Sequence, residues 1–161
     1  MADRSQSRRQ KPLAQAPQYA LSLKQPWATL LVYGRKTIEV RRWPTVRRGS
    51  ILIHAARVPD PREAAWALVP AELREAARIV GGIIGRSRLT GCVAYRDLGS
   101  FMADQNRHLN EPSWFHGGVM YGFTFVNAAP LPFRPYSGWM RFFPVEEETP
   151  HPTLSPRGGR G

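Results

Sequence analysis

The apolar segments of this chain are short and repeatedly interrupted, and that constrains its fold more than any other feature. Residues 19–23 (YALSL) alternate apolar and polar side chains as a strand does, and the run stops at Lys24-Gln25-Pro26-Trp27. Pro26 suits the first turn of a helix that continues through residues 28–33 (ATLLVY), and Gly34 supplies a left-handed stop. Residues 37–43 (TIEVRRW) follow the two-residue period of a strand, with Ile38 and Val40 on one face and Thr37, Glu39, Arg41 and Trp43 on the other. Residues 51–56 (ILIHAA), almost continuously apolar, read as a central strand with His54 inside it.

The remaining segments keep this rhythm. Asp60-Pro61-Arg62-Glu63 has the form of an N-cap, a first-turn proline and a capping-box acid, opening a helix through residue 68. Residues 70–80 (PAELREAARIV) read as a second helical stretch closed by Gly81-Gly82. Strands are predicted over 90–98, 119–127 and 139–145, with bulges or close approaches at Gly91 and Gly122, and a short helix plus loop over 99–118. Six or so strands with helical insertions predict an α+β fold, a small, strongly bent sheet or barrel with flanking helices.

The 161 residues suffice for one compact domain with its own core, predicted over 19–145. The single cysteine, Cys92, excludes an internal disulfide framework and a cysteine-based zinc cluster; in an apolar strand it reads as packing. No stretch approaches the ~18 consecutive apolar residues of a membrane span, and residues 1–18 are too polar for a signal-peptide core, so a cytoplasmic protein with no membrane partner is expected.

The formal net charge is +11, with 20 arginines and three lysines, and its location decides its meaning. Residues 1–18 form a predicted disordered basic arm with an excess of three positive charges, and residues 146–161 a predicted disordered tail with an excess of one negative charge. The central segment holds 17 basic against eight acidic residues, so most of the excess belongs to the folded part.

The densest polar constellation pairs Lys24-Gln25-Pro26-Trp27 with Lys36, Glu39 and Arg41. If the strand after Gly34 runs back beside the helix, cations, an amide, a carboxylate and an indole converge. The amide and carboxylate suit base edges, and Trp27 or Trp43 suits stacking. The same residues equally describe a structural ion pair, Lys36 or Arg41 with Glu39, tying helix to sheet.

Leu21-Ser22-Leu23-Lys24-Gln25-Pro26-Trp27, the spacing Gly34-x-Lys36-x-x-Glu39-x-Arg41, Gly49 before an apolar strand, and Gly91-Cys92-Val93 together resemble the ASCH domain, whose fold is similar to the PUA domains of RNA-modifying enzymes. The resemblance implies a compact PUA-like β-barrel whose cleft binds RNA, DNA or a nucleoside. Carried over position by position, the resemblance makes Lys36, Glu39 and Arg41 the motif's polar members and implies that Lys24, Gln25 and Trp27 border the same cleft. It also implies an enzymatic alternative, since one branch of the family hydrolyses acylated cytidine with a motif lysine, a threonine nucleophile and a downstream glutamate. Lys36 matches that lysine, but Glu39 stands where the nucleophile would be, and a carboxylate is a poor substitute for an activated hydroxyl. Lys36 and Glu39 are the catalytic candidates if the protein is such a hydrolase. Metal-dependent ribonuclease activity is also known in the family, although no ligand set for it stands out in this chain.

Around this cleft, Arg42, Arg47, Arg48 and Arg57 are placed to track a phosphate backbone. Ser113-Trp114-Phe115-His116 is a lid or a core cover, and Tyr136-Ser137-Gly138-Trp139 closes the cleft or packs at an edge. His54 reads as an interior or cleft-edge histidine. His108 and His116 lack zinc-site spacing, so neither metal nor other cofactor is expected. The predicted function is nucleic-acid binding, with RNA favoured over DNA. A hydrolase of the same fold is the alternative, and an adaptor for an acidic protein is a third reading.

Overall fold

A computed structural model describes residues 16–148. Most of the predicted basic arm and tail therefore lies outside the described residues. Six strands form one sheet: β1 (Gln18–Leu23), β2 (Ile38–Arg41), β3 (Gly49–Ala55), β4 (Gly82–Tyr95), β5 (Met120–Pro135) and β6 (Phe142–Val145), in the order β2-β5-β4-β3-β1-β6. All neighbours are antiparallel except β1 and β3, which run parallel.

The long strands β4 and β5 carry the curvature. Their register shifts between Ile83 and Gly85, Arg86 and Arg88, and Leu89 and Gly91, and each irregularity adds bend and twist. The sheet consequently curls into a half-barrel. Gly122 permits the close approach expected of it, since a Cβ there would lie 2.7 Å from the Tyr95 ring and 2.8 Å from Ile38.

Helix α1 (Trp27–Val32) plugs this half-barrel. Its sequence WATLLV is apolar almost all round, and all six residues are buried, as such a helix requires. It packs so closely on β4 that a Cβ at Gly85 would come within 2.6 Å of Val32. Leu30 and Leu31 are fully enclosed, and truncating either to alanine should cost about 2–5 kcal/mol. Gly34, at φ +75°, ends the helix as predicted. A smaller apolar cluster of Ala20, Leu52, Ile83, Phe143 and Val145 takes the alternate residues of the same strands, so the sheet buries both faces.

The insertions differ in detail from the sequence reading. Helix α2 spans Glu63–Ala67, but residues 70–80 contain only two single 3-10 turns, Ala71–Leu73 and Ala76–Arg78. Only Leu73 and Ala77 of those turns are buried, too little to hold a regular helix against the domain. Helices α3 (Leu98–Ala103) and α4 (Gln105–His108) and a 3-10 turn at Pro112–Trp114 follow, with α4 packed on β2, α3 on β4, and the 3-10 turn on α3.

Candidate functional site

The motif residues meet where α1 enters the half-barrel. After Gly34 the chain turns so that β2 brings Arg41 back to Ser22, just ahead of α1, and Lys36 goes inside. Its Nζ donates to the His108 carbonyl at 2.7 Å, lies 3.4 Å from Glu39 Oε1, and sits 4.9 Å from the Trp27 ring centroid. The side chain is 1% exposed. Burial pushes the Lys36 pKa down, while the neighbouring Glu39 carboxylate opposes that shift. His108 is itself buried, with Nε2 donating to the Phe101 carbonyl at 2.6 Å and Nδ1 accepting from Asn110 N–H at 2.9 Å. It therefore props the carbonyl that holds Lys36.

Glu39 and Arg41 share a strand face as predicted. Arg41 donates to Glu39 Oε2 at 3.0 Å and to the Ser22 carbonyl at 2.8 Å, linking β2 to β1.

A second carboxylate completes the group. Asp60, 4% exposed, accepts from the Trp27 indole at 2.9 Å and from the Arg62 guanidinium at 2.6 Å. Burial raises the Asp60 pKa, but the bonds from Arg62 and Trp27 outweigh it and hold the carboxyl at about 2. Arg62 in turn lies 3.6 Å over the Trp114 ring, which packs perpendicular to Trp27. The sequence reading placed Asp60 at a helix N-cap. In the structure the N-cap is Arg62, with no side-chain cap, and Asp60 is the buried anchor of the cleft.

These groups surround an open cleft of about 400 Å³, lined by Lys24, Trp27, Glu39, Arg41, Asp60 and Arg62 among others. Through Val40, Arg41, Arg62 and Asn110 it continues into a second hollow of about 420 Å³ that includes Arg42, Trp43, Trp114 and His116. Sequence reasoning missed Asp60, Arg62 and Asn110 as lining residues, because only the tertiary fold brings residues 60–62 and 110 to the motif.

Four predicted site residues do not line the cleft. Gln25 is fully buried; its Oε1 accepts from Thr29 N–H at 3.0 Å and its Nε2 donates to the Ile79 carbonyl at 2.9 Å. Its amide holds the start of α1 and has no free edge for a base. Lys36 forms the floor behind the cleft. Arg47 stacks 3.8 Å over Tyr19, and Arg48 donates to the Thr45 and Arg47 carbonyls; neither borders the cleft. Trp43 reaches the extension while packing its ring on Phe123 and Phe142.

On the neighbouring side of β1, His54 sits opposite Ser22 in the parallel register. Its Nε2 bonds the Tyr136 carbonyl at 2.7 Å and its Nδ1 bonds Ser22 Oγ at 2.8 Å. A carbonyl only accepts, so Nε2 carries the proton and Nδ1 receives the serine hydroxyl. Burial lowers the His54 pKa, favouring this neutral ring. Cys92 is partly buried against the main core. Among the described residues, no group of three or more His, Cys, Asp or Glu side chains is placed to hold a metal ion.

A curled six-stranded half-barrel with flanking helices is a PUA-like fold. The sequence model of the ASCH domain matches residues 21–139, and the chain belongs to that family. The crystal structure of ASCH from Zymomonas mobilis superposes with a TM-score of 0.59 at 17% identity, covering 81% of this chain and 89% of that one. A substituted form of the same protein gives 0.58 at 15% identity, covering 82% and 92%. In sequence, activating signal cointegrator 1 from Homo sapiens is 50% identical over 46 residues, and its Mus musculus counterpart 48% over 46. Those 46 residues are 28% of this chain and span 8% of the length of these relatives.

Proposed function

We propose that this protein binds single-stranded nucleic acid, RNA ahead of DNA, and seats one nucleotide in the cleft beside Lys24, Trp27, Glu39 and Arg41. One observation carries the reading: the cleft and its floor hold four cations, Lys24, Lys36, Arg41 and Arg62, against two carboxylates, Glu39 and Asp60. Both carboxylates are engaged inside the protein, whereas Lys24 is exposed at the rim. Such a site favours an anion. A concave pocket of about 400 Å³ receives one splayed base and not the edge of a duplex, which is how RNA single strands are read. The hydrolase alternative requires Lys36 to reach a substrate, and no observation favours it, because the ammonium faces His108, Glu39 and Trp27.

Fluorescence anisotropy with eight-nucleotide RNA and DNA tests the proposal. The log of affinity should fall linearly with the log of salt concentration, with a slope reporting the phosphates engaged. Arg41→Ala should weaken binding on the order of tenfold and reduce the slope by about one. Absence of binding at low salt, or unchanged affinity in a folded Arg41→Ala variant, overturns it.

A further inference from the structure

The cleft is not the only hollow at this end of the sheet. A pocket of about 510 Å³ abuts it, and Ser22 and Ala56 line both. Ser22 is the dividing post: its carbonyl accepts Arg41 on the cleft side, and its hydroxyl bonds His54 on the other. We infer that this adjoining pocket is a second nucleotide subsite, in which the base next to the one in the cleft stacks on Trp139. The inference rests on the nucleic-acid reading above and extends it to a neighbouring set of residues.

The pocket has a fixed floor and an aromatic wall. Both ring nitrogens of His54 are engaged, by Ser22 and by the Tyr136 carbonyl, and Tyr136 N–H is tied to the Gly81 carbonyl at 3.2 Å. The chain at Gly138 then passes so near that a Cβ there would stand 2.7 Å from His54 Cε1. Glycine at this position lets the loop lie flat on the histidine, and the loop carries Trp139 along the pocket's edge.

That indole is 73% exposed and the adjacent Met140 is 89% exposed. An indole left in water beside a pocket forgoes the burial its surface would otherwise gain. Charge indicates what covers it. Arg57 lines the same pocket, and none of the described residues lining it is acidic. A polyanion with an aromatic face fits both features, and base stacking on an exposed indole is tolerant of sequence. A strand with one base held beside Arg41 presents its neighbour across Ser22, where Trp139 stands.

Two probes read the two subsites separately: a nucleoside 5′-monophosphate, which fills one, and an eight-nucleotide single strand, which spans both. Trp139→Ala should weaken binding of the octanucleotide about tenfold and leave the monophosphate unchanged, whereas Trp139→Phe should retain most of the affinity. Trp139 is exposed, so circular dichroism should show an unaltered fold. If the wild-type protein binds the octanucleotide and Trp139→Ala binds it equally well, the second subsite is overturned and the cleft reading stands. If the wild-type protein binds neither probe, both readings fall.

Discussion

The two pockets that meet at Ser22 use their charged groups differently. In the motif cleft and its floor, Lys36, Glu39, Arg41, Asp60 and Arg62 are all bonded to other parts of the protein, and only Lys24 stands at the rim without an acidic partner among the described residues. In the adjoining pocket the polar pair Ser22–His54 is neutral, the cation Arg57 has no acidic partner among the described residues, and Trp139 and Met140 are turned to water. The charged groups of the first pocket therefore tie the fold together, whereas the exposed surface of the second contributes little to folding. Substitutions in the first should register in stability before they register in binding; Trp139→Ala should register in binding alone.

Lys36 offers the largest effect and the sharpest test of that contrast. Lys36→Met keeps the length of the side chain but leaves the His108 carbonyl and one side of Glu39 without a partner in a buried place. Breaking such a pair by removing one member costs about 3–5 kcal/mol, a large share of the about 5–15 kcal/mol that stabilises a domain. Urea denaturation should show this loss, and the protein that remains folded should still bind RNA. A variant of wild-type stability that has lost its affinity would instead place Lys36 in contact with the ligand.

Asp60 comes next, and it adds a pH signature. Its folded pKa of about 2 lies below the ordinary 3.8, so its contribution is present above pH 3.8 and lost as pH falls toward 2. The gap corresponds to about 2 kcal/mol at neutral pH. Asp60→Asn retains an acceptor for the Trp27 indole but not the charge opposite Arg62. In urea titrations the difference between wild type and variant should be constant from pH 7 to about 4 and shrink below that. His54 and His108, whose pKa values burial lowers, make both proteins less stable as pH falls below 6.5, and that common loss cancels in the comparison. A difference independent of pH would remove the Asp60 charge from the account.

The contrast between the pockets was only half legible in the sequence. The two-residue period of β2 correctly placed Glu39 and Arg41 together, and Gly34 correctly marked the end of α1, because both are local consequences of backbone geometry. Asp60 was misread for the same reason: Asp-Pro-Arg-Glu satisfies a local capping pattern, and nothing local reveals an indole 33 positions away. The start of β4 was hidden because Gly82 and Gly85 weaken strand propensity; they are there for tertiary reasons, to let Arg134 and Phe133 approach one and Val32 the other. The exposure of Trp139 was equally invisible. Residues 139–145 read as one strand, whereas β6 begins only at Phe142, after Arg141 takes a φ of +59°.

The smallest expected effect lies in the helix between these structures and carries the opposite sign. Thr29 belongs to α1 and is 1% exposed, and its Oγ1 is the single buried side-chain polar atom without a hydrogen-bond partner among the described residues. A buried hydroxyl left unbonded carries its desolvation cost without compensation, and a methyl of nearly the same shape does not. Thr29→Val should therefore raise stability by about 1 kcal/mol, seen as a Tm higher by about 2–4 °C. Affinity for RNA should stay unchanged, since Thr29 lines neither pocket. A fall in Tm would mean that the hydroxyl has a bonding partner, most simply a water held between α1 and the sheet. The plug of the half-barrel would then be wetter, and less complete, than its six buried side chains indicate.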